Sequence, residues 1–274
     1  QNLLVNISSL VLLLINSLLG LGIDVLIIIS FSSVPSIAIN LIKKRYSLLT
    51  LIGNSFPIKG LKTYYKLAIS CLFIASSEKI LSIVIFYIFR QEEDYAAISS
   101  FTIVIRITAI FILLLSAVNF TLAKKISTLI VQEKQSEIQT ILKKVFYITG
   151  PISVFFIAAI SLFGEPILSI FGAEFRFLKT ELLIISLAQS INLITGPVNL
   201  ILLISGNQKS LSLIFLMSLI ISISVFLLFN VSFLNAIIAH FIFLSLSSIG
   251  GWYICLRKTG LNTVKFYEKN KNTF

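Results

Sequence analysis

The fold of this chain is decided by residues 101–125, FTIVIRITAIFILLLSAVNFTLAKK, an apolar run long enough to cross a bilayer that carries Arg106 well inside it. A guanidinium group does not lose its proton in proteins, so at bilayer depth it needs an anionic partner or water, at a cost of about 2.5 kcal/mol or more. This arginine therefore needs a structural or a functional reason.

The composition extends this observation to the whole chain. Hydrophobic residues make up 57% of the 274 residues, charged residues only 12%, and the mean hydropathy is +1.02. A soluble domain has about 45–50% apolar and about 25% charged residues. The apolar runs have helical rather than alternating periodicity, which favours helices over a barrel. We therefore predict an all-α membrane protein with about eight transmembrane helices.

The connections divide the chain into four segments. We expect two transmembrane helices in residues 1–42, a basic cytoplasmic linker in 43–66, a six-helix bundle in 67–256 and a cytoplasmic tail in 257–274. The first residue is Gln1, and we expect the chain to be the later part of a longer protein. Residues 124–144 combine charges with helically spaced apolar residues, which predicts an amphipathic helix in the membrane interface. Breaks are predicted at Gly150-Pro151 and Gly196-Pro197.

The basic residues predict the orientation of these helices. The segments assigned to the cytoplasm hold 17 Lys and Arg residues, whereas the outer segments hold 3. This asymmetry predicts that both ends of the chain face the cytoplasm. It also explains the formal net charge of +11 without a nucleic-acid partner.

Three charged residues are predicted to lie near the membrane midplane. Lys79 and Arg106 belong to consecutive helices and lie at similar distances from the turn that joins them, so they should share one depth. Two fixed cations there would bind an anion. Alternatively, Glu78 pairs with Arg106 or Lys79 in a structural ion pair, and since one acid cannot neutralise two cations, both interpretations can hold.

Amide side chains suggest a second surface. Gln189, Asn192 and Asn199 lie along one face of the sixth predicted helix. They could contact sugar hydroxyls or form hydrogen bonds between helices. His240, the only histidine, could relay protons or make a simple interhelical hydrogen bond.

Sequence motifs for catalysis are not found. The chain has no Walker motif, no Cys/His cluster with metal-ligand spacing, no GxSxG and no paired acids at catalytic spacing. We therefore expect neither an enzyme nor a protein that depends on a cofactor or a metal.

Two segments resemble a known family of transporters. Residues 164–209, GEPILSIFGAEFRFLKTELLIISLAQSINLITGPVNLILLISGNQK, and residues 76–107, SSEKILSIVIFYIFRQEEDYAAISSFTIVIRI, are similar to oligosaccharide flippases of the polysaccharide-transporter family, which is related to multidrug and toxin extrusion transporters. The family usually has an aspartate where this chain has Glu78-Lys79.

This resemblance implies a fold and a function. It implies two six-helix bundles facing a central cavity, with residues 67–256 as the complete second bundle and 1–42 as the last two helices of the first. It also implies a flippase in the bacterial inner membrane that moves a polyprenyl-diphosphate-linked oligosaccharide for cell-surface polysaccharide such as O-antigen. Lys79 and Arg106 would attract the diphosphate, and the three amides would contact sugar. Partners would be the lipid-linked oligosaccharide, membrane lipids, and polymerase and other polysaccharide-assembly proteins.

Two other functions remain as alternatives. A cation-coupled multidrug exporter of the same superfamily should carry unpaired acids in its cavity. A membrane polysaccharide polymerase or glycosyltransferase should have a large outer loop, whereas the longest outer segment predicted here has about 18 residues.

Overall fold

The computed structural model describes residues 58–229 and 231–261, and all regular structure in this part is helical. The predicted helices in residues 1–42 and most of the predicted linker and tail lie outside the described residues. The described helices are α1 (Ile58–Gln91), α2 (Tyr95–Val131), α3 (Gln135–Ser169), α4 (Lys179–Thr195), α5 (Val198–Ile204), α6 (Gln208–Leu228) and α7 (Phe233–Thr259), with a 3₁₀ helix at Ala173–Leu178.

Six of the described helical segments are long and apolar enough to span a membrane, in agreement with a multi-pass membrane protein. The predicted total of eight is not confirmed, because the first two predicted helices lie outside the described residues. The boundary between the predicted linker and the following helix lies earlier than expected, because α1 begins at Ile58. The last part of the predicted linker is therefore helical.

The prediction of an interfacial helix at residues 124–144 is wrong. This segment belongs instead to the end of α2 and the start of α3, which join through a short turn at residues 132–134. Ile126, Ile138 and Leu142 are fully buried in a core shared with α5, α6 and α7. The apolar face that suggested membrane contact therefore packs against other helices.

The two predicted proline breaks have different outcomes. At Gly196-Pro197 the chain does break, because Gly196 has φ +66° and separates α4 from α5. At Gly150-Pro151 the prediction is wrong, since α3 continues through Pro151. Membrane helices tolerate an internal proline where other groups satisfy the freed backbone or the helix adjusts locally.

Helix α7 lies at the centre of the described bundle. Its buried residues include Ala236, Ala239, His240 and Phe243, and it packs against α2, α4, α5 and α6. At Gly250 an added Cβ would lie 2.8 Å from a methyl carbon of Ile214 on α6. Small residues of this kind allow membrane helices to approach closely. The central position of α7 keeps His240 away from the surface.

Candidate functional site

Lys79 on α1 and Arg106 on α2 are both exposed on the described bundle. The rings of Phe86 and Phe101 fix the register of these two antiparallel helices, since they contact edge to face with centroids 5.6 Å apart. Lys79 lies seven residues and Arg106 five residues from this contact, in the same direction along the bundle. The two cations therefore occupy nearly the same level, as predicted.

The depth of this level follows from helix geometry. Lys79 is twelve residues from the end of α1 at Gln91, and Arg106 is eleven residues from the start of α2 at Tyr95. At about 1.5 Å per residue, each lies about 17 Å from the connecting turn, which is about half the 30 Å thickness of a hydrocarbon layer. This distance fits the predicted position near the midplane, where an exposed charge requires water or an anion rather than lipid.

Neither cation forms a salt bridge with another residue in the described part of the chain. The prediction that Glu78 forms an ion pair with Arg106 or Lys79 is therefore wrong as to its partner. Glu78 Oε1 instead lies 3.4 Å from Nε2 of His240 on α7. The acid faces inward toward α7, whereas the side chain of Lys79 is exposed.

The Glu78–His240 contact connects the interior of the bundle with its surface. The side chain of His240 is 0% exposed and that of Glu78 is 24% exposed. The ring of Phe101 covers the imidazole edge to face, with centroids 5.6 Å apart. Neither Nδ1 nor Nε2 of His240 forms a hydrogen bond with the described residues. The contact at 3.4 Å is therefore a close approach of Glu78 to the ring rather than a hydrogen bond, and Glu78 separates the ring from the surface.

The sequence singles out Glu78 and His240 separately but does not predict that they meet. The two residues lie 162 positions apart on helices that are not consecutive. Periodicity places a residue on a face of its own helix, but it does not say which distant helix that face meets. The signal that could have found the pair is the presence of a single buried-type histidine and a single acid in the middle of two apolar helices.

The three predicted sugar-contacting amides face the interior of the bundle. Gln189 is 1% exposed. Asn192 Oδ1 accepts a hydrogen bond of 3.2 Å from the hydroxyl of Ser248 on α7. Asn199 Oδ1 is also buried, and it approaches Gly251 on α7 so closely that an added Cβ would lie 2.5 Å from it. For Asn192 and Asn199 these contacts support the interhelical alternative, while sugar contact stays a prediction.

Comparison with known proteins adds no assignment: no family model, no curated protein and no solved structure matches this chain. The features that bear on function are therefore the two exposed cations and the Glu78–His240 pair beside them.

Proposed function

We propose that this chain is part of a flippase of the polysaccharide-transporter type, in the bacterial inner membrane. It moves a polyprenyl-diphosphate-linked oligosaccharide from the cytoplasmic to the outer leaflet by alternating access. The observation that carries this proposal is the pair of cations Lys79 and Arg106, exposed near mid-membrane depth on neighbouring helices and without a salt bridge among the described residues.

The two cations suit a diphosphate for chemical reasons. An arginine guanidinium binds phosphate oxygens through two parallel N–H donors, while the lysine ammonium acts as a compact point charge. A diphosphate group is itself costly to move through hydrocarbon, so a path that carries it needs compensating charge near the midplane. Lys79 and Arg106 supply this charge at one level. Sugar would reach the three amides only in a conformation in which Gln189, Asn192 and Asn199 no longer pack inside the bundle.

The proposal also accounts for the acid in this region. An exporter of cationic drugs would use an unpaired carboxylate as its binding group, whereas Glu78 has a histidine partner. The charge left exposed at this level is positive, which favours an anionic substrate.

Replacement of Arg106 tests the proposal in cells. We expect Arg106→Ala in the full-length protein to reduce translocation at least tenfold, because a lost charge-assisted contact is worth about 1.5–3 kcal/mol. The measurement is the accumulation of lipid-linked oligosaccharide that faces the cytoplasm.

Arg176→Ala is the matched control, because Arg176 is also exposed but lies in the 3₁₀ segment outside the centre of a span. It should translocate normally. If Arg106→Ala reaches normal membrane levels and translocates like the wild type, the proposed role of Arg106 is wrong.

A further inference from the structure

An exposed groove runs between α6 and α7. Two adjoining cavities of about 440 and 340 Å³ lie along it, and both have Ile214 of α6 and Ile254 of α7 in their walls. At Gly250 the two helices touch, since an added Cβ would lie 2.8 Å from a methyl carbon of Ile214. The packed helices therefore close the floor of the groove, while its outer side is open.

The inner part of the groove is apolar and about one membrane leaflet deep. Leu213, Met217 and Leu246 line it and are 59%, 50% and 39% exposed. Lys258, at the other end of the groove, lies twelve residues after Leu246 in α7, which is about 18 Å along the helix axis. Half of a hydrocarbon layer about 30 Å thick is about 15 Å. The length of the groove therefore suits an acyl chain from one leaflet.

Two cations lie at the end of the groove, in the last turn of α7. Arg257 and Lys258 are exposed, and neither forms a salt bridge with another residue in the part of the chain that the structure describes. Nζ of Lys258 donates a hydrogen bond of 2.7 Å to Oγ of Ser210, which holds the ammonium group between α7 and α6. Tyr253, about one turn before Arg257, also lines the groove, and tyrosine is enriched where a membrane meets water.

These cations also have an ordinary explanation. Basic residues favour the C-terminus of a helix and are common where a span meets the cytoplasm. This accounts for their presence, but not for their position in the wall of an apolar groove or for the bond that Lys258 makes to α6. Glu133 lines a neighbouring cavity together with Lys258 but forms no salt bridge with it. The described residues therefore leave the positive charge of the groove end uncompensated.

We infer that this groove binds one anionic phospholipid of the surrounding membrane, with its phosphate at Arg257 and Lys258 and one acyl chain along Met217 and Leu246. Charge complementarity selects this occupant, because an uncharged partner would leave both cations unpaired beside an apolar surface. Arginine binds phosphate oxygens through parallel N–H donors, and lysine adds a point charge. Basic pockets between membrane helices on the cytoplasmic side bind anionic headgroups in this way.

The lipid site is independent of the proposed function. It requires only that α6 and α7 lie in a membrane, and it involves neither Lys79 nor Arg106. A flippase without this lipid, or a lipid-binding protein that is no flippase, are therefore distinguishable results.

Native mass spectrometry of the purified full-length protein tests the headgroup contact, with phosphatidylglycerol and phosphatidylcholine that carry the same acyl chains as probes. We expect the wild type to bind one phosphatidylglycerol about tenfold more tightly than phosphatidylcholine. Arg257→Gln/Lys258→Gln should lose this preference and still bind phosphatidylcholine like the wild type, which shows that it is folded. A double variant that keeps the preference would overturn the inference.

Lys124→Gln/Lys125→Gln is the matched control for charge. These two residues are also adjacent, exposed cations, but they lie on α2 outside the groove. This variant should keep the preference for phosphatidylglycerol. An equal loss of preference in both double variants would show that the net charge of the protein, rather than this groove, attracts the lipid.

The acyl chain is tested with a matched pair of substitutions on α6. Met217 lines the groove and Ile220 does not, although their side chains are equally exposed, at 50% and 49%. Met217→Trp should fill the groove and weaken binding of phosphatidylglycerol severalfold, whereas Ile220→Trp should not. Equal effects of the two substitutions would contradict a chain in the groove, as would displacement of the lipid by inorganic phosphate at the same concentration.

The same variants distinguish a lipid from a second copy of the chain. If the groove is an interface between two copies, Met217→Trp should dissociate a dimer seen in the mass spectrum and leave binding of phosphatidylglycerol unchanged. That result would overturn the inference. Loss of bound phosphatidylglycerol without a change in oligomeric state would support it.

Discussion

At the scale of single residues, the location of Arg106 and Lys79 was predictable and the partner of Glu78 was not. Both cations lie in consecutive helices, so counting residues from their shared turn is enough to place them at one level. Glu78 was expected to pair with one of these neighbours. It contacts His240 instead, because its carboxylate turns toward α7, and contact between distant helices depends on packing that a single sequence does not specify.

The amides show the same limit. The prediction placed all three on one helix, but the break at Gly196-Pro197 leaves Gln189 and Asn192 on α4 and Asn199 on α5. Asn192 and Asn199 nevertheless both meet α7. The sequence does not decide whether this face contacts sugar or a neighbouring helix. In the structure the face meets α7, where Ser248 supplies a hydroxyl opposite Asn192 and Gly251 leaves space for Asn199.

A double-mutant cycle on Asn192 and Ser248 tests the interhelical interpretation. We expect Asn192→Ala and Ser248→Ala to be non-additive, with a coupling of about 0.6 kcal/mol and at most about 1.7 kcal/mol, which is the range for interhelical hydrogen bonds in membranes. The measurement is the unfolding free energy of the two single variants and the double variant. Additive effects would show that the 3.2 Å hydrogen bond contributes nothing.

At the scale of helices, periodicity and turn residues predicted the described spans well. Errors occurred where one sequence pattern is compatible with two different structures. Apolar residues at helical spacing between charges are typical of an interfacial helix and also of two long helices that extend past the membrane. Ile126 and Leu142 are buried against other helices, which shows that this segment belongs to two long helices. Similarly, Gly-Pro is a break at residue 196, where glycine has positive φ, and not at residue 150.

Close packing of α5 on α7 gives an element-scale prediction. Gly251→Ala should destabilise the protein by about 1–3 kcal/mol, because its new Cβ would lie 2.5 Å from Asn199 Oδ1. The measurement is the thermal unfolding midpoint of the purified protein. Gly150→Ala is the matched control: nothing lies within 4 Å of its added Cβ, and alanine favours a helix.

The double variant Gly251→Ala/Asn199→Ala tests whether a clash with Asn199 causes the loss of stability. It should recover part of the lost stability, because shortening Asn199 removes the clashing oxygen. A midpoint for Gly251→Ala that equals that of Gly150→Ala would contradict the proposed close approach.

At the scale of the whole molecule, the alternating direction of the predicted helices agrees with one feature of the described part. Three segments that were all assigned to the cytoplasm, around residues 129–138, 205–207 and 258–261, together line a cavity of about 520 Å³. This is expected if consecutive spans run in opposite directions. Sequence periodicity predicts that these segments lie at one end of the bundle, while the assignment of that end to the cytoplasm stays a prediction.

The central claim is that Lys79 and Arg106 together carry the diphosphate of the substrate across the membrane. The most direct measurement is the movement of a fluorescent polyprenyl-diphosphate-linked sugar across vesicles that contain the full-length protein, compared between the wild type and Lys79→Gln/Arg106→Gln. The control is Arg176→Gln/Lys209→Gln, which removes the same two charge types from exposed positions near the ends of helical segments, in the 3₁₀ helix and in the first turn of α6. We predict that the first double variant loses translocation while the control retains it. Wild-type translocation by a folded Lys79→Gln/Arg106→Gln protein would contradict the account.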